Sequence, residues 1–392
     1  MANKRLYLDY NATSPVYPEV LETITPYFSE VYQNPSSGYR SAKKLRTRID
    51  TSRTQLAELL GISVEQIIYC SGGTEANTTV LQSLAKSRPS GSIITSQIEH
   101  SAVLKPLAHL QESGRTVQHI QTLPDGRLDL DHFKELLSED IAFVSVMWVN
   151  NETGVIQPIE EIASACRERG IPLHVDACQA FGKLEIDLSQ VPADFVTFSA
   201  HKFGGLKGAG GIIRALGSVI SPLLLGGGQE EGYRSGTENV PAILSVSQAL
   251  ALSNEKLEAQ DLAGVRDHFE AQVLAKIKGV SINGANAPRV GNTSSLSIEG
   301  CEGDALLILL DHHGIEVATG SACMTGKQQP SHVLTAMGVE KTLAKSSLRI
   351  SFGADHTVED SKYAAEVLAK VVDKVRSVQS VATGPVVVYR PK

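Results

Sequence analysis

The sequence predicts an α/β protein in which a mostly parallel sheet, covered by helices on both faces, is followed by a smaller α+β region. Two observations carry this. Between about residues 55 and 215, short apolar runs ("QIIYC", "GSIITS", "IAFVSVMWV", "IPLHVD", "DFVTFS", "GGIIRA") alternate with helix-like stretches. One such stretch, "IEEIASACRERG", has apolar residues at helical spacing and a glycine at its end. That alternation is the pattern of a parallel sheet buried on both sides. After "RSGTENVPAILSVSQALAL" the rhythm changes to one long helical stretch, "NEKLEAQDLAGVRDHFEAQVLAKIKG", then short strands "SSLSIEG" and "SLRISFG" and a closing helix, "SKYAAEVLAKVVDKV".

At 392 residues the chain exceeds one ordinary hydrophobic core, so two domains are expected. Hydrophobic residues make up 42% and charged residues 20%, the usage of a folded soluble protein. Its 36 basic and 43 acidic residues leave a net charge of -7, so no direct DNA binding is expected. The opening "MANKRLYLDYNATSP" lacks the apolar core of a secretory signal, and no apolar run would cross a bilayer. A cytoplasmic protein without membrane contact is expected. Cys70, Cys166, Cys178, Cys301 and Cys323 show neither CxxC pairs nor His-rich metal spacing, so neither a disulfide framework nor a metal site is expected.

In open α/β sheets, ligands bind beyond the carboxyl ends of the strands. Polar clusters stand at five such places: "SGGTEAN", "IEH", "NNETG", "DACQ" and "SAHK". They supply Thr74, His100, Asn151, Asp176, Gln179, Ser199, His201 and Lys202. Singly, most have an ordinary reading: Thr74 as an N-cap, His100 as a satisfied core histidine, Asn151 in a turn, Gln179 as a helix cap. Asp176 resists this, because a carboxylate closing a buried strand is costly unless paired with a cation. Lys202, desolvated behind "FVTFSAH", should be a nucleophilic amine of lowered pKa. Together they point to a pyridine cofactor whose ring nitrogen Asp176 keeps protonated and whose aldehyde Lys202 holds. Its phosphate would fall to Thr74, Ser199 and His201, with the glycines of "SGGTEAN", Gly73 among them, and Thr74 standing ahead of a predicted helix. The phenolic oxygen would fall to Asn151 or Gln179, and the ring face to His100.

The motifs "LYLDYNATSPVYPEV", "NPSS", "SGGTEAN", "EH", "VNNETGV", "HVDACQ", "SAHKFGGLKGAG", "GGGQEEGYRSGTENV", "GSAC" and "SLRISFG", in this order from Leu6 to about Gly353, resemble those of the Nif/Isc-type cysteine desulfurases. These are pyridoxal 5'-phosphate enzymes of fold type I in the class V aminotransferase group. The resemblance implies a large domain with a mostly parallel seven-stranded sheet, residues 15–257. A smaller α+β domain, residues 1–14 and 258–392, would carry a mobile cysteine loop at about 320–330. It implies that Lys202 carries the cofactor, that Asp176 pairs with the pyridinium, and that His100 stacks on the ring and handles protons. Gly73, Thr74, Ser199 and His201 would hold the phosphate, and Asn151 and Gln179 the phenolic oxygen. Thr237 would reach the phosphate of the other subunit in a homodimer. Arg349, assisted by Asn151, would take the carboxylate of L-cysteine in a bidentate pair. The sulfur would pass to an acceptor such as an iron–sulfur scaffold protein.

Cys323, in "VATGSACMTGKQQPSH", falls on the persulfide-forming cysteine of that family. Its loop alone would favour an inert thiol. A cysteine that accepts sulfur at one site and delivers it at another must travel, however, and a run of small residues suits travel. Four positions depart from the family's usual wording: Tyr39, Cys178, Leu206 and Glu231. The same site would also serve a selenocysteine lyase, the same fold an aminotransferase, and a sulfur-relay partner would need reduced catalysis only.

Overall fold

The computed structural model describes residues 5–137, 140–320 and 329–382. Its strands, in chain order, are β1 (Leu6–Tyr7), β2 (Ile67–Cys70), β3 (Ser92–Ser96), β4 (Val117–Ile120), β5 (Ile141–Met147) and β6 (Leu173–Asp176). There follow β7 (Phe195–Ser199), β8 (Gly210–Arg214), β9 (Val280–Ile282), β10 (Thr293–Ile298), β11 (Ile315–Glu316) and β12 (Ser347–Ser351). Seven of them form one sheet in the order β2-β8-β7-β6-β5-β3-β4. Neighbours from β4 to β7 are parallel, whereas β8 runs antiparallel to β7 and β2. The mostly parallel sheet is thus present, with "GGIIRA" as its antiparallel member.

Successive residues of β3, β5 and β7 enter opposite hydrophobic clusters. Ile94, Val144 and Val196 pack with Leu45, Ile162 and Phe181 on one face. Ile93, Phe143 and Phe195 pack with Val80, Leu84 and Val103 on the other. Both faces are therefore buried, which is why the runs are apolar throughout instead of alternating.

A second sheet, β12-β10-β9, is antiparallel throughout. With helices Leu262–Lys276, Gly303–His312 and Val358–Ala382 it encloses a separate cluster that includes Phe269, Leu296, Leu306, Ile350, Phe352 and Leu368. β1 pairs with β11, and Leu6 and Leu8 join this second cluster. The N-terminal segment then crosses back to the large sheet, where Ser14 N–H donates to the His201 carbonyl at 2.8 Å.

One expectation is corrected. The stretch "NEKLEAQDLAGVRDHFEAQVLAKIKG" is divided between the end of one helix, Val240–Ala259, and a second, Leu262–Lys276. Asp261 between them accepts from Gly264 N–H at 2.8 Å. That carboxylate caps the second helix, while the first ends as Gln260 turns extended, a break that apolar spacing alone does not reveal. Among the described residues, no helix is long and apolar enough to cross a membrane, and no His/Cys/Asp/Glu group could hold a metal.

Candidate functional site

β6 ends on Asp176, which is buried. Two neutral donors satisfy it: Asn77 Nδ2 at 2.7 Å to Oδ2, and Cys178 N–H at 3.0 Å to Oδ1. No protein cation bonds Asp176 among the described residues. Lys202 does not bond Asp176 but donates to the Asn11 and Ala12 carbonyls at 2.7 and 2.9 Å. Asp176 is thus held by donors that leave further lone pairs on a carboxylate at the mouth of the sheet. A cationic ring N–H would complete it.

Lys202 behaves as predicted in one respect: burial pushes its pKa below the usual lysine value. Its carbonyl partner makes Asn11 a hub. The Asn11 carbonyl also accepts from Gln179 Nε2 at 2.9 Å, and Asn11 Oδ1 accepts from Lys183 Nζ at 2.7 Å. Asn11 Nδ2 donates to the Asn151 carbonyl at 3.2 Å and to Thr293 Oγ1 at 2.9 Å. Lys183 also donates to Gln179 Oε1, and burial pushes the Lys183 pKa well down. Lys202, Gln179 and Asn151 are therefore brought together through one asparagine. A cleft of about 310 Å³ runs alongside Lys202 and Lys183, between Tyr17 and Asp355.

The helix Gly73–Ser87 starts beneath the same sheet edge. Its N-cap is Gly72, at φ 147°, and no side chain caps it, so Thr74 does not play the capping role it could have had. The first-turn N–H groups are free for an anion. A Cβ on Gly73 would lie 2.5 Å from Cys178 Sγ, so glycine is required where the helix meets the turn after β6. Ser199, buried at the end of β7, faces Gly72, while Thr74 itself is exposed. His201 Nδ1 lies 3.1 Å from Thr13 Oγ1, and burial with the Lys202 charge pushes its pKa down to about 4. His100 caps the helix Ser101–Glu112 by accepting from Ala102 N–H at 3.1 Å through Nδ1. Its Nε2 then carries the ring proton, and burial holds its pKa below the usual value.

Across from these strand ends stands Arg349, on β12. Its Nη1 donates to the Asn151 carbonyl at 3.1 Å and its Nη2 to Asp9 Oδ1 at 2.6 Å. Its buried Nε has no partner among the described residues. Thr237 is exposed on the segment before the helix Val240–Ala259, and no described contact links it to this group. Cys323 lies outside the described residues. Burial raises the pKa of the other four thiols: Cys70 and Cys166 to about 12, Cys178 well above its usual value, and Cys301 upward. They are poor nucleophiles.

Sequence reasoning missed Asp9, Asn11, Asn77, Glu99 and Lys183. Asn77 and Glu99 stand inside "SGGTEAN" and "IEH", beside residues that were singled out. Glu99 is fully buried, accepts from Ser96 Oγ at 2.5 Å and Met147 N–H at 3.0 Å, and is pushed by burial to a pKa of about 8. Burial thus favours its protonated form beneath the site.

Residues 6–363 match the family model described as aminotransferase class-V. The chain is 37% identical over 379 residues to the cysteine desulfurase IscS of Dictyoglomus turgidum, covering 96% of both chains. A solved NifS-like protein superimposes with a TM-score of 0.88 at 33% identity, covering 96% of this chain and 100% of that one. SspA in complex with cysteine superimposes with a TM-score of 0.79 at 31% identity, covering 89% of this chain and 99% of SspA.

Proposed function

The chain belongs to the aminotransferase class-V family, and from that premise we propose that it is a pyridoxal 5'-phosphate-dependent cysteine desulfurase. It converts L-cysteine to L-alanine and leaves the sulfur as a persulfide on Cys323. The observation that carries this reading is the presence at neighbouring strand ends of Asp176, a buried carboxylate that accepts from neutral donors, and Lys202, a lysine of lowered pKa on the short turn after β7.

The residues present fit the cofactor. The uncapped helix start at Gly73 and Thr74, with Ser199 and His201, would hold its phosphate. Asp176 would meet the ring nitrogen, His100 the ring face, and Gln179 with Asn151 the phenolic oxygen. Thr237 would reach the partner subunit's phosphate site in a homodimer. Bound pyridoxal phosphate supplies an electron sink that stabilises negative charge at the substrate's α-carbon and permits loss of its β-substituent.

The chain's own residues do the rest. Arg349 and Asn151 bind the substrate carboxylate and fix its orientation. Lys202 Nζ, whose pKa burial lowers, removes the Cα proton and returns it. Asp176 keeps a proton on the ring nitrogen. The Cys323 thiolate attacks the substrate sulfur, so that an S–S bond forms as the C–S bond breaks. The displaced electron pair ends in a C–H bond of alanine. That no other described cysteine has an accessible thiolate supports Cys323 as the acceptor. The enzyme is further proposed to be cytoplasmic, divided into a unit of 15–257 and one of 1–14 with 258–392. Its persulfide would pass to an acceptor such as an iron–sulfur scaffold protein.

Intact-protein mass spectrometry after brief exposure of the yellow holoenzyme to L-cysteine, without reductant, tests this. One sulfur added at Cys323, with alanine formed and both lost in Cys323→Ser, is the expected result. Loaded enzyme that adds no sulfur and makes no alanine would move the chemistry to another substrate.

A further inference from the structure

Behind Asp176, on the sheet face covered by the helix Gly73–Ser87, runs a row of polar side chains that none of these roles uses. Ser145, His174 and Thr197 are fully buried and Asn77 nearly so. Strand register assembles them: Ser145 lies opposite His174 across β5 and β6, and Asp176 opposite Thr197 across β6 and β7. The contacts are continuous. Ser145 Oγ is 2.8 Å from His174 Nδ1, and His174 Nε2 is 3.2 Å from Thr197 Oγ1. Thr197 Oγ1 is 2.5 Å from Asn77 Oδ1, and Asn77 Nδ2 is 2.7 Å from Asp176 Oδ2.

The direction of each hydrogen follows from Asp176. An ionised carboxylate only accepts, so Asn77 turns its N–H toward it and its carbonyl toward Thr197. That carbonyl also only accepts, so the Thr197 hydroxyl donates to it; the Val175 carbonyl, the other acceptor in range, is 3.5 Å away. The remaining lone pairs of Thr197 Oγ1 then take the proton on His174 Nε2. His174 Nδ1 is left to accept from Ser145, which requires a neutral ring, and burial pushes the His174 pKa down to about 4. Every donor points the same way, and dipoles aligned in one sense reinforce each other.

We infer that Asn77, Thr197, His174 and Ser145 are positioning residues forming a one-way hydrogen-bond chain that keeps Asp176 ionised, and so holds the proton on the cofactor's ring nitrogen. The inference rests on the reading that a protonated pyridine binds against Asp176. Cutting the chain at Thr197 raises the proton affinity of Asp176, and the ring nitrogen loses its share of the proton. A less positive ring makes the nitrogen joining Lys202 to the cofactor more basic. The other titratable groups acting on or near Asp176 are His100, Lys202, Glu99 and Cys178, none of which the variants below alter.

Two measurements decide it. In the protein without cofactor, ¹⁵N-histidine NMR, assigned with His174→Phe, is expected to find His174 as the Nε2–H tautomer and uncharged at pH 6. In the reconstituted holoenzyme, the pH midpoint of the visible absorbance is expected to rise by about one unit in Thr197→Val, a tenfold change in proton affinity. Thr197→Ser should restore it. His174→Phe, one link farther, should move it in the same sense by less, and keeps the test decisive if the valine variant does not fold. A His174 Nδ1–H tautomer, or a loaded valine variant titrating like wild type, would overturn the inference alone. Wild-type protein that takes up no pyridoxal phosphate would overturn the proposed function and this inference with it.

Discussion

The site has two walls of different origin. One is built by the ends of β5, β6 and β7, where strand register alone sets Ser145 beside His174 and Asp176 beside Thr197. The other joins the N-terminal segment to the three-stranded sheet. There Asn11 reaches Thr293 across 282 residues, and Asp9 reaches Arg349 across 340. The first wall is continuous with the core, so its groups cannot shift without disturbing the sheet. The second is held by individual hydrogen bonds and one ion pair. The comparison teaches that the groups proposed to handle protons and electrons follow directly on the large sheet, while Arg349, proposed to bind the substrate carboxylate, sits where the N-terminal segment meets the three-stranded sheet.

The strongest way to break this division is Lys202→Ala. Alanine formation from L-cysteine should fall by roughly 10³-fold or more, because the amine proposed to move the Cα proton is gone. The protein should remain folded, since Lys202 bonds only two backbone carbonyls. A fall of less than tenfold would mean that the reacting amine lies elsewhere.

Arg349→Lys probes the second wall. Lysine cannot reproduce the fork that bonds the Asn151 carbonyl and Asp9 together. The expected loss in kcat/KM is about 10²-fold, mostly through KM, with the absorbance of the bound cofactor unchanged. A spectrum that moved with this substitution would show the two walls to be one.

Asn11→Ala removes the link between them. Its side chain serves Lys183, Asn151, Thr293 and Asn292, all of which would lose a partner. Leaving such groups buried costs about 1–3 kcal/mol each where no water replaces them, so a loss of about 2–4 kcal/mol in urea unfolding is expected. A smaller loss would indicate that water enters the seam.

The two walls were not equally legible in the sequence. Every strand-end residue follows directly on an apolar run, so Asp176, Ser199 and Lys202 could be read in place. Their partners across the sheet face could not: nothing in "FVTFS" distinguishes Thr197 from any strand threonine until register sets it opposite Asp176. Arg349 entered through the motif "SLRISFG", whereas Asp9 and Asn11 stood unremarked in "LYLDYNATSP" because their partners are hundreds of residues away. The protein donors to Asp176, Asn77 and the Cys178 N–H, were equally invisible in the sequence. Burial demanded partners, and amide and backbone donors met the demand.

The smallest expected effect separates two members of the first wall by pH. His174 has a pKa of about 4 in the folded chain against an ordinary 6.5, so the unfolded chain binds more protons between these values. Its contribution to stability is present above pH 6.5 and is lost as pH falls toward 4. Glu99 acts in the opposite sense: its pKa of about 8 against an ordinary 4.5 means that the folded chain binds more protons in that window. Its contribution is present below pH 4.5 and is lost as pH rises toward 8. Urea unfolding of wild type and Glu99→Gln at pH 5, 6, 7 and 8 isolates this carboxyl, because every other titrating group is common to both. Glutamine stays neutral at every pH. The stability of wild type relative to the variant should therefore fall as pH rises, by no more than about 1.4 kcal/mol per pH unit. A constant difference from pH 5 to 8 would mean that Glu99 is already ionised in the folded chain. It would then be a second negative charge beneath the site, and Asp176 would no longer be the one carboxylate that the strand-end wall offers to a cation.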